Sequence, residues 1–430
     1  MAHTSPLAEL HDNAEALADL YGPPESGVKV VMTYGQFELE YASIRKACGL
    51  LDLPTRGLIE VEGADRESFL NRMLTQEIKG FALGQSRPSF WLNRKGRVDA
   101  DLRLMNVGDR YLADVDVHAA GRAVQTLSAY VITEDVRIRD VSEQWHRLAL
   151  HGPLALDVLS RHARREDGSA IGVLNDGSCA AVLIACEDGR SRQAIVERCD
   201  QCGVIGLEVS VRAGDVRDVY LAFLRSAHES VPGHAGPNPR PMLRPIGWAA
   251  FNVARIEAGT AMYNIDFGPD SLPAETGVLD SRVSFKKGCY LGQEVVARMH
   301  ALGHPKQQLV GLKLTDPAYR PGTTSVGDAT TDAESTFARC PETGSLVFAE
   351  PEPGADVGEP VGAVTSATLA PMLSRQPIAL AMVKWACVKP GTRLLVQAED
   401  VLLPAEVRAA LSSLPRGSTA ASTSGDQTQG

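Results

Sequence analysis

The sequence predicts an α+β protein whose C-terminal part is a separate all-β domain. Three observations predict it. Up to about residue 305, apolar residues recur with both helical and strand-like spacing. Beyond Lys306 only short strand-like runs remain, cut by Gly and Pro. The chain, at 430 residues, is too long for one ordinary core and implies two or three domains.

Leu7, Leu10, Leu17 and Leu20 form a helical stripe that Gly22-Pro23-Pro24 ends. Val28–Met32 and Phe37–Tyr41 read as strands. A second unit opens at Leu58-Ile59-Glu60-Val61, followed by Asp65 as N-cap of a helix carrying Phe69, Leu70, Met73 and Leu74. Val98, Ala100, Leu102 and Leu104 alternate with Asp99, Asp101 and Arg103, the pattern of a half-buried strand with a charged face. The Pro- and Gly-rich stretch Ala222–Trp248 reads as a connecting loop. Pro321-Gly322, Pro351–Gly354 and Pro390-Gly391 mark corners of the β domain, and the Ser/Thr/Gly-rich Pro415–Gly430 reads as a disordered tail.

Apolar content of 44% with 22% charged residues is ordinary for a globular protein. A net charge of −10 argues against a general polyanion binder, so no nucleic-acid partner is expected. No apolar run reaches the roughly 18 residues a membrane span needs. The N-terminal residues lack the basic-then-apolar order of a signal peptide. Eight cysteines spread over a chain of this size do not form a disulfide framework, which points to the cytoplasm. Cys179, Cys186, Cys199 and Cys202 invite a zinc reading. Cys179 and Cys186 flank an apolar strand and no histidine completes the set, so no metal is expected.

The most informative run is Phe285-Lys286-Lys287-Gly288-Cys289-Tyr290-Leu291-Gly292-Gln293-Glu294. Its glycines and Cys289 lead into apolar-periodic residues (Val295, Val296, Met299) that read as a helix. A helix start with free N–H groups and two lysines attracts an anion and favours a thiolate. The plainer reading is a helix start with a half-buried cysteine.

The run resembles the K-G-C-[FY]-x-G-Q-E signature of YgfZ-type folate-binding proteins, in the superfamily of the glycine-cleavage T-protein (aminomethyltransferase). Upstream, Arg255-Ile256-Glu257-Ala258-Gly259, Tyr263-Asn264-Ile265-Asp266 and Leu272-Pro273-Ala274-Glu275-Thr276-Gly277 are similar to the R-I-E-A-G, Y-G-x-D and L-P-x-E-x-G blocks of those proteins. Downstream, Gly362-Ala363-Val364-Thr365-Ser366 and Ile378-Ala379-Leu380-Ala381 resemble the G-x-V-T-S…I-A pattern. The resemblance implies a three-domain cloverleaf of two interleaved α+β lobes and a C-terminal β-barrel. Residues 1–50 with about 235–305 would form the first lobe, 51–234 the second, 306–414 the barrel and 415–430 a tail.

The resemblance also implies site residues. Asp101 matches the second aspartate of the T-protein segment L-N-x-x-G-G-x-x-D-D-L, while Ala100 replaces the first. A carboxylate there assists one-carbon transfer at a folate nitrogen. Glu208 ends a segment similar to G-Y-T-G-E-D-G-F-E, in which Val204 replaces the first glutamate. Arg255, Tyr263, Gly288 and Tyr290 join Asp101 and Glu208 as residues expected around the folate. Lys286 or Lys287 is expected on a cationic rim, and Cys289 carries chemistry.

Two functions are weighed, and the first is the one the sequence favours. One is a monomeric, tetrahydrofolate-binding accessory protein that supports iron–sulfur cluster assembly or repair and meets iron–sulfur client proteins. The other is a transferase that moves an aminomethyl or methyl group with tetrahydrofolate or a one-carbon derivative. The cysteine loop favours the first, Asp101 the second.

Overall fold

A two-stranded hairpin, two larger sheets and a closed barrel hold the strands of the described residues, and the strands of the largest sheet come from far apart in sequence. The computed structural model describes residues 4–231, 240–317 and 338–409, except positions 167 and 173. The sequence's Pro321-Gly322 corner and its Pro415–Gly430 tail lie outside the described residues.

The chain begins with α1 (Ala8–Asn13), the hairpin β1 (Leu17–Tyr21) and β2 (Val28–Thr33), then α2 (Phe37–Lys46) and β3 (Cys48–Asp52). Next come β4 (Arg56–Glu62), α3 (Arg66–Met73), β5 (Ser86–Leu92), β6 (Val98–Asn106), β7 (Tyr111–Asp116), α4 (Val117–Ser128) and β8 (Arg137–Asp140). They are followed by β9 (Trp145–His151), α5 (Ala155–His162), β10 (Ala163–Arg165), β11 (Cys179–Ala185), β12 (Ser191–Arg198), β13 (Gly206–Arg212) and α6 (Val216–Leu224). After β14 (Leu243–Ile246) stand α7 (Trp248–Glu257), α8 (Leu279–Arg282) and α9 (Gln293–Leu302). The last part holds β15 (Gln307–Leu314), β16 (Leu346–Ala349), β17 (Gly362–Ala370), β18 (Gln376–Lys384), β19 (Arg393–Ala398) and β20 (Val401–Val407).

One sheet has five strands in the order β5-β6-β7-β4-β8, and a second has seven, β10-β11-β12-β13-β9-β3-β14. The last six strands close a barrel in the order β15-β18-β17-β16-β19-β20. The α+β class and the C-terminal barrel are therefore as expected. The lobe boundaries at 50 and 234 do not follow the sheets. β9, inside 51–234, pairs with β3 and so brings β10 to β13 into the same sheet as the N-terminal segment.

Local expectations need four corrections. The leucine stripe is not one helix: Leu7 is buried on α1, but Glu15 takes a positive φ and the chain turns into a hairpin that leaves Leu17 and Leu20 exposed. Phe37–Tyr41 is the start of a helix, because Glu40, Tyr41 and Ile44 bury one helical face and acids first, bases last suit the helix dipole. Asp65 precedes α3 without capping it; its carboxylate accepts from the Asp135 N–H instead. The Pro-rich connector contains β14, parallel to β3, where Pro245 is tolerated because the strand is an edge.

The core of the five-stranded sheet runs on into the C-terminal part. Phe90, Trp91 and Ala100 share a cluster with Tyr263, Tyr290, Val296 and Leu380 of the later elements. Among the described residues, no helix is long and apolar enough to cross a membrane.

Candidate functional site

β6 carries the first site residue. The turn before it needs a glycine: Gly96 has φ 72°, and a Cβ would lie 2.7 Å from Val295 Cβ of α9. Pairing with β5 and β7 then buries Ala100 completely in the core. Asp101 emerges on the opposite face, with its side chain 14% exposed.

Asp101 opens on a cavity of about 380 Å³, bordered by Arg103, Glu197 and Gln201 on one side and by Tyr263 and Arg282 on the other. Arg282 donates from Nε to Asp101 Oδ1 at 3.2 Å. The Gln201 amide oxygen is buried at this wall with no hydrogen-bond partner among the described residues. Asp99 does not share this space. It is buried, accepts from Asn93 and Arg122, and borders a second cavity of about 370 Å³ with Tyr21 and His118. Tyr263 lines both cavities, and its hydroxyl donates to the Asp99 carbonyl at 3.0 Å. Burial raises its pKa, so it stays a neutral donor.

Behind the first cavity lies a buried ionic cluster. Arg56 pairs with Asp114 at 2.6 Å, Arg103 with Glu208 at 2.6 Å and Asp114 at 2.9 Å, and Arg147 with Glu208 at 2.7 Å. Oxygens of Asp114, Glu197 and Glu208 lie within 4.8 Å of one another, close enough to hold a cation. Three guanidinium groups already neutralise those three carboxylates, so the cluster reads as an ion-pair network and not a metal centre. Burial alone would raise the Glu208 carboxyl, but Arg103 and Arg147 hold it well below the usual range. Glu197 shifts upward because burial outweighs Arg103. Burial likewise pushes the Cys199 thiol up, although Arg103 lies against its sulfur.

Five residues expected around the ligand are placed elsewhere, each for a physical reason. Glu208 sits in the ionic cluster behind the wall. Arg255, 1% exposed, spends its guanidinium on Asn252, the Thr260 carbonyl, Asp266 and Ser366. Gly288 is exposed and does not line the cavity, and a Cβ there would meet no neighbouring protein atom within 4 Å, so packing does not require a glycine. Tyr290 packs in the core beside Lys287. Lys287 is no rim cation: its Nζ donates to the carbonyls of Asn71, Leu74 and Gln76 at 2.6–2.8 Å, and burial lowers its pKa to about 8.

Cys289 is exposed, but the helix begins only at Gln293, so the thiol does not face free helical N–H groups. The helix starts late because Gly292 is its left-handed N-cap, φ 80°. A Cβ at Gly292 would also lie 3.0 Å from the Asn93 carbonyl, which explains the second glycine of the run. Arg282, Gln201 and the partners of Glu208 in the ionic cluster were not predicted. They stand alone in sequence with no repeat or spacing to mark them, and only the meeting of three distant segments makes them neighbours.

Comparison with known proteins is consistent with this architecture. Residues 24–287 match the GCVT N-terminal domain, and residues 307–411 match the glycine cleavage T-protein C-terminal barrel domain. The chain is 26% identical to an aminomethyltransferase of Geobacillus kaustophilus over 95% of its own length and 97% of that protein. It is 24% identical to a mitochondrial aminomethyltransferase of Dictyostelium discoideum, over 83% of this chain and 80% of the relative. The crystal structure of glycine cleavage system aminomethyltransferase T from Bartonella henselae superposes with a TM-score of 0.75 at 22% identity, over 96% of this chain and 99% of that one. The fold is thus the one the resemblance implied.

Proposed function

The chain belongs to the glycine cleavage T-protein family, and on that premise we propose that it binds a reduced folate beside Asp101 and performs tetrahydrofolate-dependent aminomethyl transfer. The observation that carries this reading is Asp101 itself. It stands where the family resemblance puts the functional carboxylate, and it borders a cavity of about 380 Å³. That volume falls in the range of small-molecule sites, roughly 300–1,000 Å³. Its Oδ1 is held by Arg282, and among the described residues Oδ2 has no partner.

A carboxylate so placed accepts a hydrogen bond from a folate N–H. It can take that proton as the nitrogen attacks the aminomethyl carbon and pass it to the departing amine, which leaves as ammonia; closure by the second folate nitrogen then releases the carrier as its thiol. Tyr263 supplies an apolar ring on the facing wall. The Gln201 amide offers a polar group to a ring edge. Relatives named aminomethyltransferase support the reaction class.

The test is isothermal titration with tetrahydrofolate, followed by an assay of methylene-tetrahydrofolate formed from an aminomethyl-lipoyl carrier protein. Binding together with turnover that Asp101→Asn abolishes is expected. Absence of heat and of thermal stabilisation at millimolar ligand would sink the reading, since a ligand for the native state must raise its stability.

A second reading, the YgfZ-type accessory protein serving iron–sulfur clients, is favoured by two observations. Cys289 is exposed on a loop apart from the cavity wall, available to a partner macromolecule. Val204 also stands where the T-protein segment has a glutamate, and it packs against a core cluster. Folate binding without aminomethyl turnover would select this second reading.

A further inference from the structure

We infer that Arg282 is a positioning residue that fixes the Asp101 carboxylate and presents its second oxygen to the ligand. This rests on the folate-binding reading. The backbone from which Arg282 projects is pinned. Its carbonyl accepts from Thr75 Oγ1 at 2.7 Å, and the Ser284 N–H donates to the Thr75 carbonyl at 3.0 Å. Thr75 is fully buried, and Lys287 ties the same segment to the end of α3 through three carbonyls. The guanidinium therefore starts from a fixed point.

Its polar contacts are few and directed. Nε reaches Asp101 Oδ1, Nη1 donates to Ser281 Oγ at 2.8 Å, and Nη2 has no partner among the described residues. The two side chains are 21% and 14% exposed, so the pair is shielded from bulk water and more strongly coupled than an open surface pair.

The other cations of the cavity wall are committed. Arg56 and Arg103 belong to the ionic cluster, and Arg198 pairs with Asp200. Of the other acids lining the cavity, Glu197 is paired with Arg103 and Asp200 with Arg198. Arg282 is the one cation among the described residues that contacts Asp101. A carboxylate clamped through Oδ1 has Oδ2 set in a single direction, which orientation-dependent binding and transfer require.

A double-mutant cycle on tetrahydrofolate affinity tests this, using Arg282→Gln, Arg282→Lys, Asp101→Asn and the doubly substituted chain. Arg282→Gln should weaken binding about tenfold without changing the melting temperature by more than a degree or two. Arg282→Lys should recover part of the loss, because it restores the charge while keeping less of the geometry. In the Asp101→Asn background, Arg282→Gln should change affinity less than about twofold. Equal losses in both backgrounds, or no loss in either, overturn the inference while leaving folate binding intact. Failure of the unsubstituted protein to bind tetrahydrofolate overturns the folate reading, and this inference with it.

Discussion

Arg255 on α7 donates from Nη2 to Ser366 Oγ on β17 at 2.7 Å and so fastens the barrel to the helix. Asp266 closes the triangle: it accepts from Arg255 Nη1 at 2.6 Å and from Ser366 Oγ at 2.6 Å. The neighbouring R-I-E-A-G and Y-N-I-D blocks thus meet the distant G-A-V-T-S block at one buried joint between domains. Glu257 of the first block is also spent on structure, holding Arg45 and Tyr41 of α2 and the Met372 N–H.

The first prediction concerns this joint. Arg255→Ala strands the Asp266 carboxylate, 2% exposed, and should cost about 3–5 kcal/mol in urea unfolding. Ser366→Ala removes one hydroxyl and should cost about 1–2 kcal/mol. An Arg255→Ala protein as stable as the parent but unable to bind folate would return Arg255 to the ligand site.

Lys287 gives the second prediction. Burial lowers its pKa from 10.5 to about 8 in the folded chain. Between those values the unfolded chain binds more protons than the folded one, so the Lys287 contribution to stability rises with pH across that window. The difference in unfolding free energy between the parent and Lys287→Met should therefore grow from pH 8 toward 10. At neutral pH the substitution should already cost about 2–3 kcal/mol, because three buried carbonyls lose a charged donor. A pH-independent difference would refute the assignment.

How much of this was legible in the sequence depended on the kind of signal. The barrel was legible because Gly and Pro punctuate its strands. β6 was legible because strict alternation put Ala100 in the core and Asp101 outside it. Phe37–Tyr41 misled because a five-residue alternation is too short to separate strand from helix, and only burial of Ile44 one turn on decides it. Motif membership did not distinguish ligand contact from domain joinery. Arg255 and Asp101 both sit in matching blocks, yet one is sealed by four partners and the other faces a cavity. That difference arises from tertiary contacts no local pattern encodes.

Asp52 gives the third prediction. Burial alone would raise its carboxyl, but His146 at 2.5 Å and His11 at 2.8 Å hold it well below the usual carboxylate range. A depressed pKa contributes stability that is present above the unfolded value, about 3.9, and is lost as pH falls toward the folded one. Asp52→Asn should cost about 3 kcal/mol at neutral pH and flatten the acid limb of stability against pH. Parallel curves for the two proteins would show that Asp52 has no such role.

The last prediction separates the two functional readings through Cys289. Among the described cysteines it is the exposed one, while the others are buried or half-buried. Burial pushes the Cys179 and Cys202 thiols up to about 12, so they are both shielded and protonated at neutral pH. Brief treatment of the native protein with iodoacetamide, read by peptide mass spectrometry, should label Cys289 first and the fully buried Cys48 and Cys202 last. Cys289→Ser should change stability by no more than about 0.5 kcal/mol, as expected of an exposed side chain. If the serine variant still binds tetrahydrofolate but no longer supports iron–sulfur enzyme activity in cells lacking the parent, the thiol serves the accessory role. If it also supports that activity fully, the exposed cysteine has no chemical part to play, and aminomethyl transfer at Asp101 remains the function to pursue.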